Sequence, residues 1–169
     1  MNLWCAAAST GQEPYSLVLL LAESFPNLAS WDIQCIASDL SREVLERGKL
    51  GCYNQQELNR GLPAELLGKY FFRNGIQWQI AEQIRRRVEF RNLNLVLPWP
   101  SLPPMDLILM RNVLIYLDLE TKKVIMGKIR QLLKPDGYLI LGSTEIPVDL
   151  DSTFEQVRFD NTVCYRLRT

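Results

Sequence analysis

Ala6-Ala7-Ala8-Ser9-Thr10-Gly11-Gln12-Glu13-Pro14-Tyr15-Ser16, near the start of the chain, is a turn of small residues set between two apolar segments. The run before it, Leu3 to Ala8, suits a buried strand. Behind it, Pro14 fits a first helical turn, where its missing N–H costs nothing. Leu17-Val18-Leu19-Leu20-Leu21 then predicts a buried helix, closed by Phe25-Pro26. Strand, small-residue turn and helix form the first half of a nucleotide-binding βαβ unit, in which the N–H groups at the helix start meet a polar ligand.

The rest of the chain continues this rhythm. Ile33 to Ala37 is a second apolar segment ending in Ser38-Asp39, and Ser41 is placed to cap a helix carrying Glu43 and Val44-Leu45. Residues 51–90 are more polar and broken by Gly51, Gly61, Gly68 and Gly75. A short helix at Pro63–Lys69 and strand-like alternation at Phe71-Phe72 and Ile76–Ile80 mark them as an inserted β-subdomain. Met105–Met110 is again a buried strand. Asp118 caps a helix that places Ile125, Ile129, Leu132 and Leu133 on one face, and Lys134-Pro135-Asp136-Gly137 stops it. Tyr138–Leu141 is the next strand, and Phe154–Phe159 with Thr162–Arg168 form a hairpin around Asp160-Asn161. The implied fold is α/β: a largely parallel sheet, helices on both faces and an antiparallel C-terminal edge.

Composition narrows the function. The 169 residues suffice for one domain with a real core. Lys plus Arg and Asp plus Glu number 19 each, which argues against a general nucleic-acid binder. No segment predicts a membrane helix or a signal peptide. The four cysteines, Cys5, Cys35, Cys52 and Cys164, form no CxxC pair and read as reduced thiols of a cytoplasmic protein. There is no histidine, which removes Ser-His-Asp triads, Cys-His pairs and His-ligated metal sites. No metal site is expected.

Ligands of such sheets bind at the carboxyl ends of the strands, here the Ala7–Glu13 turn, Asp39, Asn94-Leu95 and Arg111-Asn112. Two roles for Asp39 stand side by side, a ribose acceptor and a helix cap. The first turn has one glycine rather than GxGxxG, and Glu13 would repel a pyrophosphate. A ligand with adenosine and a cationic tail fits better, as in S-adenosylmethionine, whose ammonium and sulfonium Glu13 would help hold. Alternatively, Glu13 merely complements the helix dipole. Arg111 and Asn112 follow an apolar strand directly, as a site or as a solvated turn. Arg85-Arg86-Arg87 reads as a solvated face or strand edge, with a patch for an acidic partner as the alternative.

The stretches "LWCAAASTGQEPYSLVLLLAE", "IASDLSREVLERGKLGCYNQQEL", "ILMRNVLIYLDLETKKVIMGKIRQLLKPDGYLILGSTE" and "VCYRLR" resemble the CheR-type chemotaxis receptor methyltransferases over essentially the whole chain. The motifs S-T-G-x-E-P-Y-S and R-N-V-x-I-Y carry the likeness. The resemblance implies a Rossmann-like S-adenosylmethionine-dependent methyltransferase fold with a small inserted β-subdomain. It also implies methyl transfer from S-adenosylmethionine to glutamates of chemoreceptor signalling helices, leaving S-adenosylhomocysteine. By motif, Ala7, Glu13 and Asp39 would contact the cofactor, Asn94 and Leu95 the adenine, and Asn112 and Val113 the methionine end. Arg111 and Tyr116 would line the acceptor pocket. The family's G-H-S-E stands here as Gly142-Ser143-Thr144-Glu145, without its histidine.

Further expectations follow from the same resemblance. The family's small N-terminal helical domain, which closes over the cofactor, is expected to be absent, and the protein is expected to be a monomer. The stretch Arg73 to Phe90 contains only Gly75, so docking is expected on the receptor's helical bundle rather than on its flexible tail. Two other readings are a non-catalytic cofactor- or receptor-binding module and an NAD-dependent oxidoreductase. The single glycine and Glu13 disfavour the latter.

Overall fold

The computed structural model describes residues 1–147, 149–160 and 162–168. In chain order the first half contains β1 (Asn2–Ala6), α1 (Gln12–Ser24), β2 (Gln34–Asp39), α2 (Arg42–Leu50), β3 (Cys52–Tyr53), α3 (Gln55–Leu58), α4 (Ala64–Tyr70), β4 (Phe71–Asn74) and β5 (Gln77–Ile80). There follow α5 (Glu82–Arg85), β6 (Val88–Asn92), β7 (Met105–Met110), α6 (Leu119–Leu132), β8 (Leu133–Leu141), β9 (Phe154–Phe159) and β10 (Thr162–Leu167). Seven strands form one sheet in the order β6-β2-β1-β7-β8-β10-β9; the pairings from β6 to β8 are parallel, and β10 alone runs the other way, antiparallel to both β8 and β9. Asn161 of the predicted hairpin turn lies outside the described residues.

Alternation along β1 divides the core. Leu3 and Cys5 face α1 together with Cys35 and Ala37 of β2. Trp4 and Ala6 face the opposite layer, where α6 supplies Ile125, Met126 and Ile129. Local chemistry sets the helix starts: the Ser41 side chain accepts from Val44 N at 3.4 Å, and Asp118 accepts from Thr121 N at 2.9 Å. α1 starts on Gly11, whose φ of +86° is a conformation that suits glycine.

The structure corrects the sequence reading in several places. β1 stops at Ala6, and Ala7 and Ala8 belong to the turn. α1 buries one face only: Val18 and Leu19 are in the core, but Leu20 is 54% exposed. The small antiparallel sheet, β3-β5-β4, spans residues 52–80, and 88–90, expected within the subdomain, pair instead with β2. That strand hides Val88 while Glu89 and Arg91 pair with each other at 2.7 Å, a charged edge that discourages further strand addition. Leu133 starts β8 rather than ending α6, and the Lys134–Gly137 stop signal lies at a register shift inside the strand.

The small sheet steadies the first turn. Tyr53 Oη donates to Thr10 O at 2.7 Å, while Tyr15 Oη of α1 donates to Gly48 O of α2 at 2.7 Å. On the other face, Trp4 is fully buried, stacks edge-on against Trp99 with 5.0 Å between ring centres, and donates from Nε1 to Ser38 Oγ at 3.0 Å. Ser38 is itself fully buried. Ser38→Ala orphans the indole N–H and should lower unfolding stability by about 1–3 kcal/mol in urea titration with an unchanged slope. A loss below about 0.5 kcal/mol would show that the bond contributes nothing net.

Candidate active site

The chain reverses its direction of propagation at β1. From β1 it proceeds to β2 and β6 on one side, then returns to β7 and β8 on the other. The crevice outside the carboxyl ends of β1 and β7 is therefore the topological switch point. Backbone strain concentrates there. Ala7 at φ +56° and Ser9 at +49° follow β1, and Asn112 at +58° follows β7. Left-handed non-glycine residues persist only where their surroundings hold them, and they cluster at functional sites.

A cavity of about 570 Å³ opens at this point, lined by Ala7, Ser9, Gln12, Glu13 and Arg111 on its polar side and Leu17, Leu107 and Leu109 on its apolar side. It thus brings together three of the predicted residues: Ala7, Glu13 and Arg111. Glu13, in the first turn of α1, accepts from Arg111 Nη1 at 3.3 Å although the two lie 98 residues apart. The Glu13 side chain is 23% exposed and that of Arg111 52%. Burial pushes the Glu13 carboxyl above its ordinary range, while the charge and hydrogen bond of Arg111 pull it back. Beneath Glu13, Cys5 is fully buried, and its neighbour Cys35 together with burial pushes its thiol up, so Cys5 is an unreactive core residue. Cys5, Cys35, Cys52 and Cys164 are all free.

Asp39 ends β2 and ties two segments. Its Oδ2 accepts from Ser9 N at 2.9 Å and its Oδ1 from Ser41 N at 3.0 Å. The helix cap itself is Ser41, and Asp39 keeps lone pairs on both oxygens for a further donor. Asn94 and Leu95 follow β6. Asn94 Oδ1 accepts from Val96 N at 2.9 Å, and Leu95 O accepts from Trp99 Nε1 and Lys128 Nζ, each at 3.1 Å. Lys128 also binds the carbonyls of Val96 and Leu97, so α6 pins this loop. Val113 is half-buried, whereas Asn112 and Tyr116 are exposed, Tyr116 by 81% at the end of a 3₁₀ turn over Leu114–Tyr116. Neither Asp39, Asn94, Leu95, Asn112, Val113 nor Tyr116 lines the cavity that holds Glu13 and Arg111.

Sequence reading passed over one residue. Glu145 is 4% exposed, and its carboxylate accepts from the backbone N–H groups of Asn112, Val113, Leu114 and Gly142 at 2.7–2.8 Å and of Ile115 at 3.3 Å. The Gly142–Glu145 motif was noticeable for its missing histidine, and only the fold shows what its glutamate reaches. No group of three or more His, Cys, Asp or Glu among the described residues could hold a metal ion. No helix among them is long and apolar enough to cross a membrane.

The acceptors present suit an adenosine with a cationic tail. A carboxyl pushed up by burial gains most from a second positive charge, and Asp39 has acceptor capacity for hydroxyl donors. Residues 1–163 match the family model described as CheR methyltransferase, SAM binding domain. The chain is 40% identical over 172 residues to chemotaxis protein methyltransferase 1 of Pseudomonas aeruginosa, covering 99% of this chain and 63% of that one. It is 38% identical over 151 residues to the chemotaxis protein methyltransferase of Escherichia coli, covering 85% of this chain and 51% of the relative. The chain thus spans a little under two thirds of the Pseudomonas relative's length and about half of the Escherichia one. Among solved structures, a TehB-like SAM-dependent methyltransferase from Corynebacterium glutamicum superposes with a TM-score of 0.59 at 12% identity, over 99% of this chain and 80% of that one. That likeness shows the fold, which is Rossmann-like. The strand-end carboxylates, the one-glycine turn and the R-N-V-L-I-Y loop accordingly sit in a chain that belongs to the CheR methyltransferase family and corresponds to its S-adenosylmethionine-binding domain.

Proposed function

We propose that this domain serves the transfer of a methyl group from S-adenosylmethionine to glutamate side chains of chemoreceptor signalling helices, giving glutamate methyl esters. The observation that carries this reading is the Glu13–Arg111 pair in the switch-point cavity. S-adenosylmethionine supplies an electrophilic sulfonium methyl. Everything else falls to side chains that bind, orient and exclude water. Glu13 holds the cofactor's ammonium, Asp39 its ribose, and Asn94 and Leu95 flank the adenine. Ala7, Asn112 and Val113 shape the methionine end with backbone that needs no long side chain.

Glu13 and Arg111 give the pocket a physical logic. An ammonium that reaches Glu13 competes with Arg111 for one carboxylate, and the displaced guanidinium is then available to an acceptor carboxylate. Its planar fork matches a carboxylate, and the Tyr116 phenol adds one donor. Holding the acceptor by its outer oxygen leaves the other free to attack. A glutamate is already ionised at neutral pH, so the reaction needs no general base, which suits a chain with no histidine. Opposite charges approach and cancel, and alignment supplies most of the rate.

The direct test is transfer of labelled methyl from S-adenosylmethionine to a chemoreceptor cytoplasmic fragment. The label should be released by mild base, as a carboxyl ester requires. A base-stable label, or none, contradicts the proposal. Arg111→Ala and Tyr116→Phe should each lower turnover by more than about tenfold while S-adenosylhomocysteine affinity stays within about threefold, the pattern of groups that act on the acceptor. Weak cofactor binding with normal transfer at saturation would move both residues into the cofactor site.

Asp39→Ala should weaken S-adenosylhomocysteine binding by about 1–3 kcal/mol in calorimetry, the scale of hydrogen bonds to a charged group. Unchanged affinity with reduced folding stability would make Asp39 a structural tie between Ser9 and Ser41 only. A peptide from a receptor's C-terminal tail should show no saturable binding, because docking is on the helical bundle. Tight binding of that peptide would refute the tail-independent part of the reading.

A further inference from the structure

We propose that Glu145 is a positioning residue of the methyl-transfer site, an internal anion that gathers the backbone N–H groups after β7 and thereby sets the loop carrying Arg111, Asn112, Val113 and Tyr116. The inference deepens the function proposed above and rests on it. Two N–H groups converge on Oε2, from Asn112 at 2.8 Å and Gly142 at 2.7 Å. Three converge on Oε1, from Val113 at 2.8 Å, Leu114 at 2.7 Å and Ile115 at 3.3 Å. Four consecutive amides of the R-N-V-L-I-Y segment thus point at one carboxylate more than thirty residues later in the chain for three of them and thirty for the last.

Each element of the arrangement has a local cause. The left-handed turn at Asn112, φ +58°, bends the chain so that successive N–H groups aim inward. Gly142 allows the close approach: a side chain there would put Cβ 2.6 Å from Glu145 Oε2 and 3.0 Å from Asn112 N. Glu145 N donates to Gly142 O at 3.0 Å, closing the turn that folds the carboxylate back onto its own strand end. A carboxylate this buried requires compensation, and here backbone dipoles rather than a cation provide it. With its backbone so held, the segment exposes Asn112, Ile115 and Tyr116 and buries Leu114 in the core.

The charge sign matters as much as the shape. Both oxygens accept, so an amide at this position must turn an NH₂ toward donors on one side or the other. Glu145→Gln should therefore disorder part of the loop despite its matched size. Glu145→Ala removes the anion but leaves its N–H donors facing a space that a small carboxylate such as formate can enter.

The experiment compares both variants with the unaltered chain by amide hydrogen exchange, S-adenosylhomocysteine affinity and methyl transfer, with and without sodium formate. Exchange at residues 112–115 should accelerate at least tenfold in both variants. Transfer should fall about tenfold to hundredfold, the effect of misplacing a reacting group by about 1 Å. Formate, but not an equal concentration of sodium chloride, should slow exchange and restore transfer in Glu145→Ala and do neither in Glu145→Gln. Unchanged exchange in Glu145→Gln overturns the proposal, as does a folded Glu145→Ala indifferent to formate. If Glu145→Ala does not fold, Glu145→Gln exchange alone decides. An unaltered chain that transfers no methyl defeats the function proposed above, and exchange with cofactor affinity still decides the role of Glu145.

Discussion

β1 shares parallel ladders with β2 along one edge and β7 along the other, so three segments leave the sheet side by side at the same end. The connection after β1 must reach α1 without colliding with the one after β7. The chain solves this with left-handed turns at Ala7, Ser9 and Gly11 on one strand and at Asn112 on the other. Those turns expose backbone and bring Glu13 and Arg111 to a common cavity. The site is a consequence of where the sheet reverses, and the small β-subdomain supports it through the Tyr53 bond to Thr10.

Three carboxylates manage the strand ends in different ways. Asp39 is shared between the first turn and the start of α2, through Ser9 N and Ser41 N. Glu145 is enclosed by backbone N–H groups and has no need of a counter-ion side chain. Glu13 leans on the half-exposed guanidinium of Arg111, through one contact of 3.3 Å. In the proposed reaction Glu13 exchanges partners, Asp39 adds a ribose contact to its two backbone ties, and Glu145 holds geometry.

Much of this was legible in the sequence because it depends on neighbours in the chain. Ser41 and Asp118 announced their helices by capping chemistry, and the Ala6–Ser16 stretch announced strand, turn and helix. What stayed hidden depends on distant contacts. The Glu13–Arg111 pair joins residues 98 apart. Glu145 looked like the end of an incomplete motif, because nothing local shows that it reaches the loop after β7. β6 was hidden because Glu89, paired with Arg91 on a sheet edge, falls in the polar stretch that ends at Phe90 and reads as an insertion. The Lys134–Gly137 stretch carries turn residues, yet the pairing of Leu133 with Met105 holds it within β8.

In the proposed function, the crevice beside β1 and β7 recognises an adenosine with a cationic tail. Calorimetric titration of this chain with S-adenosylhomocysteine and, separately, with NADH addresses it directly. S-adenosylhomocysteine should bind saturably at one site, with affinity falling when Glu13 is changed to Gln, and NADH should give no heat beyond dilution, since its pyrophosphate meets Glu13. Saturable NADH binding, or S-adenosylhomocysteine binding indifferent to Glu13, would contradict the account.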